Sequence, residues 1–317
     1  MAQTNPSQMQ STVAQPAQSQ TQLSVKPRTG FFQSTRGDSP FKRLLIHITL
    51  IIACVIAAYP CLRVIGVALR PGDKLLTGDL WFIPAGATLQ SFDNVLTKKP
   101  FWSWIFNSMI ITLSVTLVGV VLACTAAYAF SRFKFAGRSS GMIFLLANQM
   151  IPATMLIVPI YIMLARLGLV GSYVGIIFAY SVSAVPFSVW VLKGYYDTIP
   201  RDLEEAAEVD GTTKLGAFWR VIVPLSTPAL AIAALFNFTQ AWNEYLVASL
   251  IFNRVDTTTK AQITTWPVGF QTMIGQFTSE WGNFAAASVL VAVPVMALFF
   301  YSSRWLVSGL TLGGVKG

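Results

Sequence analysis

Six stretches of this chain contain no Asp, Glu, Lys or Arg: residues 44–62, 105–131, 141–165, 167–192, 221–243 and 281–303. Each has at least 19 residues, and a helix needs about 20 to cross the hydrocarbon of a bilayer. Backbone polar groups in hydrocarbon must be satisfied internally, so only helices and closed β-barrels span it. A barrel needs short alternating strands separated by turns, and these runs are continuous. The sequence therefore predicts an all-α membrane protein with six transmembrane helices, at about 44–62, 105–131, 141–165, 170–192, 221–251 and 281–303. The fifth is expected to continue past Glu244 to about Ile251. Composition agrees. Charged residues make up 11% of the chain and the mean hydropathy is +0.59, against roughly 25% charged in a soluble domain.

The distribution of Lys and Arg sets the expected orientation. With the N-terminus inside, fourteen of these residues fall on inner segments and eight on outer ones, which favours both termini in the cytoplasm. The net charge of +9 is then explained by inner loops lying beside anionic lipid, with no nucleic-acid partner needed. Residues 1–40, rich in Gln, Ser, Thr and Pro, are expected to form a disordered tail. The apolar run starts too late for a cleavable signal peptide, so the first helix reads as an uncleaved anchor. Residues 41–317 are expected to form one membrane domain. Cys54, Cys61 and Cys124 have no CxxC spacing and read as small buried hydrophobes, with no metal site implied. Trp81, Trp102 and Trp104 suit an interfacial belt. Pro152, Pro159 and Pro186 lie inside predicted spans, where they kink helices beside a cavity or simply shape packing. His47, the only histidine, reads as an interfacial residue.

One inner loop, 193–220, stands out. Six of the thirteen acidic residues fall between Asp197 and Asp210. Leu203, Ala206 and Ala207 share one helical face, and Asp202, Glu205 and Glu208 another. Gly211 suits the left-handed position that closes a helix, and Thr212 or Thr213 caps a second one, with a stripe of Leu215, Phe218, Trp219 and Ile222 ending at Pro224. Two readings follow, a hairpin lying on lipid or a docking element for a cytoplasmic partner. An acidic helix is repelled by an anionic leaflet, which favours docking.

The pattern E-A-A-x3-G-x9-I-x-L-P marks the permease subunits of ABC importers. Here it reads Glu205-Ala206-Ala207, Gly211 and Val221-Ile222-Val223-Pro224, with Val replacing both Ile and Leu. The segments "AYAFSRFKFAGR", "IPRDLEEAAEVDG", "WGNFAAA" and "RWLVSGLTLGGVKG" are similar to the smaller permease subunit of maltose/maltodextrin importers, the MalG type. The likeness covers about residues 42–317. It implies a type I importer permease of the MetI-like fold in a bacterial inner membrane. The implied partners are a second, MalF-like permease, two MalK-like ATPases, an extracytoplasmic sugar-binding protein and membrane lipid. It also implies that residues 201–211 form a coupling helix, with Glu204, Glu205, Ala206, Ala207, Asp210 and Gly211 meeting an ATPase and Glu205 as the main contact. The ending "GLTLGGVKG" resembles a tail that reaches between the two ATPases. No G-x-x-x-x-G-K-[ST] loop is present, nor an HExxH or G-x-S-x-G motif. The chain is therefore expected not to be an enzyme and to bind no cofactor, with ATP and Mg held by the partner ATPases.

Two further sites are expected. In "NFTQAWNEYL", Asn237, Gln240 and Glu244 share a face with Asn243 at its edge. A carboxylate inside a membrane is costly, so this face should point inward, as a sugar-lined path or gate, or as a polar helix–helix contact. In the last outer loop, 254–282, the family likeness implies a binding-protein contact near Gln271, Gly275 and Gln276. Alternatives to the sugar reading are the same importer for trehalose or glycerol phosphate, and an ion-coupled secondary transporter. The latter would want several intramembrane relay groups, where only Glu244 and His47 are present. An intramembrane enzyme is disfavoured by the missing catalytic sets.

Overall fold

The structure is a computed structural model describing residues 39–72, 83–252, 263–275 and 279–313, with no side-chain description at 40, 153, 252 and 305–313. Residues 1–38 of the predicted tail, Trp81 and Gln276 lie outside these residues. The chain divides into two compact units, Met1–Tyr59 and Pro60–Gly317. What is described of the first is most of α1 (Pro40–Ala68), whose side chains from Phe41 to Tyr59 are exposed all round. A stretch apolar on every face is suited to lipid or a partner. Cys54 and Cys61 are exposed there, against the expectation of burial. The His47 ring bonds the Arg43 carbonyl one turn back, at 2.6 Å.

Among the described residues, four helices are long and apolar enough to cross a membrane unaided, and the number is six if each of two bent pairs counts as one span. The unbroken ones are α1, α3 (Phe101–Arg132), α6 (Tyr173–Tyr196) and α13 (Trp281–Gly313). A short helix, α2 (Gln90–Lys98), precedes α3. The first bent pair is α4 (Arg138–Met150) and α5 (Ala153–Arg166), which meet at 107°. Pro152 explains the break. It has no N–H to donate, and it pushes the preceding residue out of helical backbone, so Ile151 is extended at ψ 123°. Pro159 and Pro186 remain inside α5 and α6.

The second pair turns by 78° at Ser226. Before it lie α7 (Asp202–Val209), α8 (Lys214–Ala217), a π turn at Phe218–Ile222 and α9 (Val223–Leu225). After it comes α10 (Thr227–Asn243). The fifth span was expected to run unbroken to about Ile251. Instead α10 stops at Asn243, Glu244 is extended at ψ 122°, and α11 (Leu246–Phe252) starts afresh. A short helix, α12 (Trp266–Phe270), precedes α13.

Helices α3, α6 and α10 pack together as the centre of the larger unit. Small residues let their backbones approach, as membrane packing favours. A side chain at Gly119 of α3 would meet Asn237 Nδ2 of α10 at 2.7 Å. Apolar clusters fill three levels. One joins α3, α5, α6 and α11 through Ile111, Leu164, Ile176 and Ile251. A second holds α2, the start of α3, the end of α10, residues 266–273 and α13 through Val95, Trp104, Trp242, Met273 and Ala286. The third, at the opposite end of α3, gathers Ala127, Leu192, Tyr196, Phe218 and Ile222 beneath the polar loop. Trp104 belongs to the second cluster rather than to an interfacial belt: it is buried with its ring against the backbone of Gly269, where no Cβ fits, while Trp102 is exposed.

Candidate functional site

The polar loop folds as a helical hairpin. Gly211, at φ +90°, closes α7 in the left-handed conformation that glycine adopts without steric cost. The freed carbonyls are met by Gly211 N–H to Glu208 O and by Thr212 N–H to Ala207 O, both at 3.0 Å. Thr213 caps α8 by accepting the Gly216 N–H at 3.1 Å, which settles which threonine caps. The expected aromatic stripe divides. Phe218 and Ile222 are buried, whereas Leu215 and Trp219 are exposed, because the π turn rotates successive residues away from 3.6-residue spacing.

Asp202, Glu205, Ala206, Glu208, Val209, Asp210 and Gly211 are exposed and Ala207 half-buried. Val209 is 87% exposed, between Glu208 and Asp210 in the chain. Glu205 and Glu208 form no ion pair among the described residues. Both line a cleft of about 170 Å³ with Arg132, Arg201 and Lys214.

Glu204 was expected alongside Glu205 as an exposed-side contact and faces the other way. It is the buried member of α7. Its Oε1 receives Arg132 Nε of α3, and its Oε2 receives the Tyr128 hydroxyl at 2.8 Å. The remaining Arg132 nitrogens donate to Ser131 Oγ at 3.2 Å and to Ile199 O at 3.0 Å. The guanidinium and the carboxylate are thus both well supplied, as a buried pair requires. Nearby, Ser131 donates to Asp197 at 2.6 Å and Lys193 to its other oxygen at 2.5 Å. Partial burial opposes ionisation of Asp197, but these two donors prevail and hold its carboxyl below the usual value. Arg132, Tyr128 and Ser131 were legible only as part of a family likeness, because nothing local ties them to a carboxylate seventy residues on.

The second candidate region separates into parts. Asn237 is fully buried and receives the Ser188 hydroxyl at 2.8 Å, so it takes the helix–helix reading, joining α6 and α10 across Gly119. Glu244 caps α11: its two oxygens accept the Val247 and Ala248 N–H groups at 3.0 and 3.3 Å. Gln240 and Asn243 are exposed. A cavity of about 300 Å³ is lined by Tyr180, Ser183, Gln240, Asn243 and Glu244. An adjoining one of about 310 Å³ shares Ser183 and Gln240 and reaches Asn148 and Gln149 at the α4–α5 break. Two broken helices thus expose hydrogen-bonding groups side by side, and Asn148 and Gln149 were missed for want of any charge to mark them. Irregular backbone at such depth is tolerated where it lines a cavity or is buried in protein.

In the third region, Gln271 and Gly275 are exposed. Ile274 and Ser279 form an antiparallel bridge, and Glu280 N–H donates to Met273 O at 2.9 Å. Glu280 pairs with Lys99 at 2.8 Å and accepts from Asn283 at 2.8 Å. Burial works against it, yet these contacts hold the Glu280 carboxyl below its usual value. The end of α13 remains helical to Gly313, and 314–317 lie outside the described residues.

Comparison with known proteins matches these features. Residues 96–311 fit the family described as "Binding-protein-dependent transport system inner membrane component". The MalG maltose/maltodextrin transport system permease protein of Salmonella typhimurium is 39% identical over 294 residues, covering 87% of this chain and 96% of that one. Its counterpart in Escherichia coli is 36% identical over 293 residues, with 87% and 96% covered. Among solved structures, a bacterial ABC transporter involved in import of the acidic polysaccharide alginate superposes with a TM-score of 0.71 at 21% identity, over 86% of this chain and 100% of the other, a likeness of fold. This chain belongs to the family of binding-protein-dependent transport system inner membrane components.

Proposed function

We propose that this subunit forms half of the translocation path of an ATP-driven, binding-protein-dependent carbohydrate importer of the maltose/maltodextrin kind. A second permease forms the other half, two ATPase subunits dock on the hairpin, and an extracytoplasmic binding protein delivers the sugar at the opposite end. Both termini and the hairpin lie in the cytoplasm. The observation that carries the reading is the outer face of α7. It is acidic, alanine-containing and apolar at Val209, and its Glu205 and Glu208 form no ion pair among the described residues, which suits a protein surface with basic residues better than lipid. ATP binding closes the ATPases, the hairpins follow, and the spans alternate between outward and inward openings. ATP and Mg stay on the ATPases.

The path side of the proposal shifts from the expected quartet. Gln240 and Asn243 line it, with Ser183 and Gln149 beside them, while Asn237 supports packing and Glu244 holds the helix break. The lining offers amide and hydroxyl groups and no Lys or Arg, and its one carboxylate, Glu244, is held by the N–H groups of Val247 and Ala248. That chemistry suits a neutral hydroxylated solute better than a phosphate ester. Gln271 and Gly275, with Gln276, remain the proposed contact for the binding protein. The test is Glu205→Lys in cells carrying the complete importer. The subunit should still insert and sugar uptake should fall to background. Normal uptake would defeat the docking assignment.

A further inference from the structure

We propose that Glu204, Arg132 and Tyr128 are positioning residues that deliver hairpin movement to α3, and that α3 rather than the covalently continuous α10 is the stiff lever of this subunit. The proposal rests on the importer reading above and adds a route to it.

Two routes lead from α7 into the membrane. The covalent one passes through Gly211, α8, the π turn and α9, then turns 78° at Ser226 before reaching α10. Ser226 sits at φ −91°, ψ 9°, outside helical backbone. π turns and breaks of this kind are where helices bend. A push along this route meets a left-handed glycine, a π turn and a corner before it meets a span.

The other route is non-covalent and short. Only one side chain of α7 is buried, Glu204, and it lands on the last turn of α3. Tyr128 and Arg132 are four residues apart and so share a face of α3, and both grip the same carboxylate. Arg132 also holds Ile199 O, Arg201 donates to Ser131 O at 3.4 Å and Ser131 donates to Asp197. The linker from α6 to α7 and α7 itself are therefore all fastened to residues 128–132. Beneath, the Tyr128 ring packs on Phe218 at 4.5 Å between centroids.

From there α3 runs unbroken for 32 residues, about 48 Å at 1.5 Å per residue. That exceeds the roughly 30 Å of hydrocarbon, which explains how its last turn reaches the hairpin. Gly119, in its middle, abuts Asn237, next to Gln240 of the cavity lining. Trp104, near its far end, lies against Gly269 in the loop proposed for the binding protein. A displacement of Glu204 is thus felt along a single rigid element at all three sites. Packed interfaces shift as units rather than deforming smoothly.

The experiment uses the complete complex, with both permeases, the ATPases and the binding protein, in proteoliposomes. It measures ATP hydrolysis and uptake of radiolabelled maltose, maltotriose and trehalose. Glu204→Gln keeps the size of the side chain and a group for Tyr128 but removes the charge facing Arg132. It should leave the ATPases bound and ATP turnover within about threefold, while sugar taken up per ATP falls about tenfold, the scale on which residues of a coupling route act. Arg132→Lys should recover part of the ratio, Tyr128→Phe should lower it less, and Ser226→Gly, which loosens the covalent route, should leave it near wild type. An unchanged ratio in Glu204→Gln would overturn the brace. So would loss of the ATPases during purification of that variant, which would make Glu204 an assembly contact, or uncoupling by Ser226→Gly with Glu204→Gln intact. Absence of ATP-driven uptake in the wild-type complex would defeat the importer reading itself and this inference with it.

Discussion

Glu204 and Glu244 are two carboxylates in a chain that is 54% hydrophobic, and the fold treats them oppositely. Glu204 is satisfied by side chains from a distant helix, Arg132 and Tyr128 of α3. Glu244 is satisfied by the N–H groups of its own next turn, Val247 and Ala248. The first bond joins two elements that the sequence keeps far apart. The second separates one apolar run into two helices and is made by the next turn itself, with the Tyr180 hydroxyl of α6 adding a bond to the Glu244 carbonyl at 3.4 Å. The same functional group therefore serves as a fastener in one place and as a breaker in the other, and what decides is whether the donors are remote or local.

Breaking the fastener should have the larger effect. Arg132→Ala leaves Glu204 buried without its counter-charge, and removal of one partner of a buried pair costs about 3–5 kcal/mol. Denaturation of the purified subunit in detergent should show a loss of that size. Replacing both partners by Arg132→Met and Glu204→Leu should recover most of it, because apolar packing substitutes well for a buried pair. If Arg132→Ala were nearly neutral, Glu204 would not be held by the pair. Between the two carboxylates lies Gly119, where Gly119→Ala presses a methyl onto Asn237 Nδ2. Overpacking of that kind costs about 1–3 kcal/mol, seen as a lower midpoint in the same assay, and Gly119→Ser should cost at least as much.

Breaking the breaker should matter less. Loss of a capping side chain costs about 0.5–2 kcal/mol, and Glu244→Ala should act locally. Hydrogen exchange at Val247 and Ala248 should quicken while amides of α3 stay as protected as before. Protection lost throughout would mean that Glu244, too, fastens distant elements. The smallest effect belongs to the surface pair Lys99–Glu280. Exposed pairs contribute below about 1 kcal/mol. The Glu280 carboxyl ionises below its usual value in the folded protein. Its stabilisation is therefore present above the unfolded-chain value near 4.5 and is lost as pH falls through the lower, folded value. The gap in melting temperature between wild type and Glu280→Gln should be widest at neutral pH and close on acidification.

Much of this was legible in the sequence. Charge-free runs announce spans because hydrocarbon tolerates little else, and the Asp197–Asp210 cluster with Gly211 announces a hairpin because capping chemistry is local. The breaks at Ser226 and Glu244 were not legible. An apolar run reads alike whether straight or bent, and only the partners of Glu244 show that it ends a helix. Nor was the inward turn of Glu204, since Glu204 and Glu205 are adjacent and identical, and only the position of Arg132 chooses between them. Asn237, Gln240 and Asn243 share one short segment, but burial assigns the first to packing and leaves the other two at a cavity.

The central claim is that force reaches this subunit from separate ATPases through the hairpin. It is tested most directly by uptake of radiolabelled maltose into proteoliposomes that hold both permeases and are supplied with the loaded binding protein, with and without the ATPase subunits. Uptake that requires both ATP and the ATPases, and that Glu205→Lys abolishes, is the predicted result. Uptake that persists without the ATPases and follows an ion gradient would contradict it.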